Sequence, residues 1–271
     1  MRASAFASAA SLALLGCGAP PPAPAAGPGK PPQRVVSLNL CTDELLLLLA
    51  APGQIASVTH LAGKAEETPL WQQARAFPAN DGTLTGVARA RPDLVLTMGG
   101  SGDRLAIAGR LGVDIVDLPF PTSIDDVAAS IRRVAAALGR PEQGEGLITR
   151  MGELRRTAPA DPMDTLWIGG GGRTVAAEGL EAEWMALAGY RQREIGGDQL
   201  QLETLLVSPP RVLLRSDYRQ DQYSRVQAWL THPLASARGT SREVRTDGRR
   251  WTCMGPLLID EVERLRKARP A

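Results

Sequence analysis

From about residue 33 onward, short apolar runs of five or six residues alternate with longer stretches in which apolar positions recur every three or four. The first pattern suits buried strands and the second suits helices with one buried face, so the alternation predicts β-α units around mainly parallel sheets. In the first half, strands are expected over 34–38, 55–59, 93–98 and 113–118, with Thr42 as N-cap of a helix that ends near Ala50. The leucine run Leu45, Leu46, Leu47, Leu48, Leu49 is far too short to cross a bilayer and reads as a buried core helix.

The middle of the chain is helical. Ser123 with Asp126 forms a capping box and Gly139 closes that helix. Pro141 suits the first turn of a second helix, in which Leu147, Met151 and Leu154 share a face before Arg155 and Arg156 at its C-terminal end. Strands then return at 166–169, 212–215 and near Val244, with a helix over 180–187. The segment LTGVARARPDLVLTM at 84–98 and the segment LETLLVSPPRVLLRS at 202–216 align without a gap. Leu84 falls on Leu202, Pro92 on Pro210 and Val95-Leu96 on Leu213-Leu214. Both read as a short helix, a proline and a buried strand. The expected fold class is therefore α/β, with two Rossmann-like lobes of mainly parallel sheet joined by one long helix, and a ligand cleft between them.

With 271 residues, 44% of them hydrophobic and 22% charged, the chain is long enough for two cores. The net charge of +2 and an aromatic content of 4% give no basic face with stacking rings, so nucleic acid is not an expected partner. Met1-Arg2 followed by an uncharged run to Leu15 reads as an export signal. The run ends in Leu14-Leu15-Gly16-Cys17, which resembles a bacterial lipoprotein signal with Cys17 as the lipidated residue; an ordinary signal cleaved later is the alternative. Either places the folded part in an oxidising compartment. The expected division is a signal at 1–17, an Ala/Pro/Gly tether at 18–32, a first lobe at 33–121, a helical region with the interlobe helix at 122–160 and a second lobe at 161–271.

The chemistry-bearing residues are sparse. Only His60 and His232 are histidines, and there is no Cys-x-x-Cys, so a bare-metal site is not expected. Glycines gather in TMGGSGD at 98–103 and WIGGGGRT at 167–174, each directly after an expected strand, where backbone can approach a solute closely. Neither cluster has a phosphate-loop or dinucleotide pattern, and Ser101 lacks the frame of a hydrolase nucleophile. Arg173 suits a carboxylate or other anionic group.

Taken in order, the opening RVVSLNLCTDELLLLLA, the phrase ARPDLVLTMGGSGDRLAIAGRLGVDIVDL, the central helix, QLETLLVSPPRVLL, HPLASA and the closing WTCMGPLLIDEVERL resemble the periplasmic binding proteins for ferric siderophores, haem and cobalamin. The resemblance covers about 33–266. It implies a solute carrier of an ABC importer rather than an enzyme, a monomer with no cofactor, lying in the periplasm or held at the membrane through Cys17. Strand ends then nominate Leu40, Cys41, His60, Met98, Gly99, Gly100 and Phe120 from the first lobe as ligand contacts. The second lobe offers Gly171, Arg173, Tyr218 and Trp251, with Trp251 the foremost aromatic. Members dock to the permease through an acid on each lobe. Glu203 matches the second-lobe position, whereas the first-lobe position holds Thr85, leaving Asp81 or Asp103 to supply a charge nearby. Cys41 and Cys253 fall at two expected cleft edges. A disulfide, two buried thiols and a thiol facing the ligand are all open. An exported α/β hydrolase and a sensor with no permease partner are the competing functions.

Overall fold

The computed structural model describes residues 30–100, 109, 112–219, 232–233 and 241–270. The signal with Cys17, almost all of the tether, and Asp103 lie outside the described residues. The first lobe runs β1 (Val35–Ser37), α1 (Leu40–Leu49), β2 (Ile55–Thr59), α2 (Trp71–Ala74), β3 (Ala79–Asn80), α3 (Leu84–Val87), β4 (Leu94–Met98) and β5 (Asp114–Leu118). Two helices follow, α4 (Ile124–Ala137) and α5 (Pro141–Arg156). The second lobe runs β6 (Met163–Ile168), α6 (Leu180–Leu187), β7 (Tyr190–Gln192), α7 (Leu202–Val207), β8 (Val212–Ser216), β9 (Arg242–Thr246) and α8 (Leu258–Lys267).

Each lobe holds one sheet, ordered β3-β2-β1-β4-β5 in the first and β7-β6-β8-β9 in the second, and the paired strands are parallel throughout. Parallel sheets bury both faces, and β4 accordingly has all five residues buried. The two matched segments fold alike, α3 leading into β4 and α7 into β8, and both strands have a neighbour on each side. Two edge strands, β3 and β7, carry no apolar run and have no counterpart in the expected elements. They form because a neighbouring strand offers free backbone groups, not because of their own composition.

The first helix starts earlier than Thr42. Asn39 is its N-cap, its side-chain oxygen accepting from the Thr42 backbone N–H at 3.0 Å, while the Thr42 hydroxyl turns inward to Ser37 Oγ at 2.7 Å. The leucine run packs in the core, with Leu46 and Leu49 fully enclosed. Ser123 and Asp126 form the expected capping box on α4.

The 16-residue α5 carries the chain between the lobes, lying against α4. There Gly144 lets the helices approach, since a Cβ on it would stand 2.7 Å from the Ala135 Cβ. In turn α4 packs on α1 and α6, and α5 packs on α8. One hydrophobic cluster thus runs from Val35 in the first sheet through Ile131 and Met151 to Trp184, Val244 and Leu265 in the second lobe. A core shared by both lobes resists separation, because any hinge movement about it exposes apolar surface. Among the described residues, no helix is long and apolar enough to cross a membrane.

Candidate ligand cleft

In a parallel sheet every strand ends on the same side, so each lobe gathers its strand-end loops along one rim. The two rims face one another. After β1, Cys41 is disulfide-bonded to Cys253, which follows β9 and its short helical turn; their Cα atoms are 5.2 Å apart. After β2, the loop at 64–68 reaches the ends of β8 and β9. Glu67 accepts from the Tyr218 hydroxyl at 2.9 Å and pairs with Arg219, and the Arg249 guanidinium donates to the Ala65 carbonyl at 2.9 Å.

At the floor, a crevice is lined by Cys41, Glu44, Met98, Pro121, Ser130, Cys253 and Pro256, so it draws on both lobes and on α4. Two adjacent acids of α1 lie here below the surface. Burial raises the Asp43 carboxyl above its ordinary value, against the opposing effect of two hydrogen bonds donated by the Thr59 hydroxyl and N–H. Burial pushes Glu44 further, to about 8, although the Thr68 hydroxyl donates to it at 2.9 Å. Glu44 is therefore mainly a neutral acid at pH 7, which removes the cost of holding a charge beside the crevice.

The nominated residues distribute unevenly. Met98 and Cys41 line the crevice, and Cys41 is bridged rather than a free thiol. Leu40 is buried at the start of α1. Gly99 has φ +64°, and the Phe120 ring lies so close that any Cβ on residue 99 would collide with it. Phe120 itself is 69% exposed and presents its free face at the rim. The Gly100 N–H is taken by the Asp117 carboxylate at 3.0 Å. In the second lobe, Gly171 has φ +71° within a short turn, and Arg173 beside it is exposed and paired with Asp198 at 2.7 Å.

One nomination needs correction. Trp251 is only 4% exposed. Its indole N–H donates to Thr246 Oγ1 at 2.7 Å and its ring packs tilted on Trp167 at 6.4 Å, so it supports the rim from within and offers no face to a solute. Tyr218 stands at the rim, but its hydroxyl is engaged by Glu67. His60 is exposed in an open groove with Asn80, Asp81 and Gly86 at the β2–β3 end, its Nδ1 3.3 Å from the Asn80 carbonyl. Glu44, Glu67, Arg219 and Arg249 went unnoticed in sequence, where they are ordinary charged residues in no recognisable motif. Among the described residues, no cluster of three or more His, Cys, Asp or Glu side chains could hold a metal ion.

No protein-family model matches the chain, and no curated protein sequence does. Solved structures do match. The apo periplasmic haem-binding protein RhuT from Roseiflexus sp. RS-1 is 23% identical, with a TM-score of 0.64 over 87% of this chain and 98% of that one. The periplasmic vitamin B12 binding protein BtuF of Vibrio cholerae is 19% identical, with a TM-score of 0.60 over 88% and 96%. The siderophore-binding protein BauB, solved with two acinetobactin molecules and ferric iron, is 12% identical, with a TM-score of 0.67 over 88% and 94%. The fold is that of the periplasmic solute-binding proteins. In such a binding-protein fold the facing rims form the cleft, and here its floor is closed by a covalent bridge.

Proposed function

We propose that the chain is the exported solute-binding component of an ABC importer, capturing a bulky iron complex or cobalamin between its lobes. The observation that carries this reading is the cleft itself: two strand-end rims facing across a shared core, with the exposed Phe120 face on one and the exposed Arg173 side chain, at the end of the glycine turn, on the other. The fold neighbours support the solute class, since their own ligands are haem, vitamin B12 and a ferric siderophore. The periplasm is the working compartment, with attachment through Cys17 if the lipoprotein reading of the signal holds. Among the described residues, His60 and the cleft cysteines give the hydrolase reading no support, because the His60 ring faces a backbone carbonyl and both cysteines are bridged.

Haemin, cyanocobalamin and ferric siderophores, each added to purified protein, provide the test. The true solute at a hundredfold excess over its Kd should stabilise the fold by about 2.7 kcal/mol, with a change in visible absorbance on binding. Absence of both signals with every compound would rule out the proposed solute class.

Docking is assigned to Glu203, exposed in the first turn of α7, with Asp81 as the charge on the other lobe. Asp81 accepts from the Thr83 hydroxyl at 2.7 Å, and that hydroxyl lies 3.4 Å from Thr85 Oγ1, so its carboxylate is close to the first-lobe docking position. Those hydrogen bonds hold the Asp81 carboxyl below its usual range. Glu203→Ala should leave solute affinity unchanged while cutting importer ATPase stimulation severalfold. Undiminished stimulation would remove Glu203 from the interface.

A further inference from the structure

We propose that Glu67 is a built-in occupant of an anion subsite formed by Tyr218 and Arg219, and that a carboxylate of the arriving solute takes its place. The inference rests on the solute-binding reading above and names the chemistry of one end of the solute. Glu67 projects from the first lobe, yet both of its carboxylate oxygens are bound by the second: Oε2 accepts from the Tyr218 hydroxyl at 2.9 Å and Oε1 pairs with Arg219. The Glu67 side chain is 7% exposed, so the subsite already withdraws a carboxylate almost wholly from water. A site that does this for one carboxylate has the donors to do it for another.

The donor pair is ready to be shared. The Arg219 guanidinium sits over the Tyr218 ring, 5.2 Å from its centroid, which fixes the two donors relative to each other. Its side chain remains 40% exposed, leaving an approach from solvent. Arg219 also lies at φ 54°, a left-handed conformation costly for a side-chain-bearing residue, as expected of a rim segment shaped for a ligand rather than for packing. Neighbouring Arg249 is clamped by Asp247 through two bonds of 2.8 Å and spends a remaining N–H on the Ala65 carbonyl, a second contact to the same loop.

Position decides between an inert ion pair and a displaceable occupant. The floor of the cleft is tied by a covalent bond and a shared apolar core, neither of which a solute can displace. The rim at Glu67 is tied by hydrogen bonds and opposite charge, which a competing carboxylate can replace one for one. The solute thereby releases the Glu67 side chain and gains the fork.

The test compares haemin, which carries two carboxylates, with its dimethyl ester, using the full oxidised chain as wild type, Glu67→Gln, Arg219→Ala and the double variant. Glu67→Gln should bind haemin about tenfold more tightly and the ester no differently. Arg219→Ala should abolish that gain in the double variant. Equal gains for both compounds, or weaker haemin binding, would overturn the proposal. If wild type binds neither compound, haem is excluded as the solute, and the subsite is judged without a macrocycle. Amide exchange at 64–68 and 217–219 should quicken in Glu67→Gln and slow again on adding citrate, but not on adding chloride at equal ionic strength. Exchange that Glu67→Gln leaves unaltered, or that citrate fails to slow, would overturn it equally.

Discussion

Replacing Cys41 and Cys253 together by serine is expected to lower the stability of the folded chain by about 5 kcal/mol. The two residues are 212 positions apart, so their bridge closes nearly the whole folded chain, and the entropy it removes from the unfolded state grows with loop length. For a chain of this size a loss of that order moves Tm by about 10–15 °C. Thermal unfolding of the double-serine variant, and of wild type with and without a reductant, checks it. A shift within 1 °C would mean that the shared core alone fixes the lobes. A functional consequence follows from the position of the bridge. Cutting the tie at the floor lets the rims move further apart, so the reduced protein should release its solute faster while the oxidised protein holds a narrower range of cleft widths.

The second large effect is a dependence of stability on pH that belongs to one residue. Burial raises the Glu44 carboxyl to about 8 in the folded state, from 4.5 in the unfolded chain. The folded state therefore binds the proton more tightly, and stability declines as pH rises from about 4.5 to about 8, levelling above that. The total is on the order of 5 kcal/mol. Glu44→Gln keeps the shape and the bond from Thr68 but cannot ionise, so it should gain up to that amount at pH 9 and show no advantage at pH 4. Urea unfolding of both proteins at pH 4, 7 and 9 measures the difference. Parallel stability curves would show that Glu44 titrates as an exposed carboxylate does. Because Glu44 lines the crevice, a solute sealing the floor should also hold its proton more firmly.

Much of the architecture was legible because it is written in periodicity. Apolar runs such as those at 94–98 and 212–216 have only one good resting place, the middle of a covered sheet, and the capping box at Ser123 marks a helix start through bonds made within four residues. The edge strands β3 and β7 escaped because their pairing is decided by a neighbour's open edge. Thr42 was mistaken for a cap because Thr and Asn compete for the same role three residues apart, and only the backbone turn at Asn39 decides between them. For the cleft, strand-end position nominated Met98, Gly99, Phe120 and Arg173. It misjudged Trp251, since a strand end can turn a large ring inward as readily as outward.

The sequence by itself determined the central strands and the long helices, the α/β class and the division into two similar halves. All of these follow from local spacing, where a residue's neighbours along the chain are also its neighbours in space. Only the tertiary structure decided which rim residues meet. The bridge between Cys41 and Cys253, the grip of Tyr218 and Arg219 on Glu67, and the enclosure of Glu44 join or bury groups through contacts between segments far apart in the chain. A single charged or thiol side chain carries no local signature of its distant partner. Its meaning comes from two independent lobes being set face to face, and that placement is a property of the shared core.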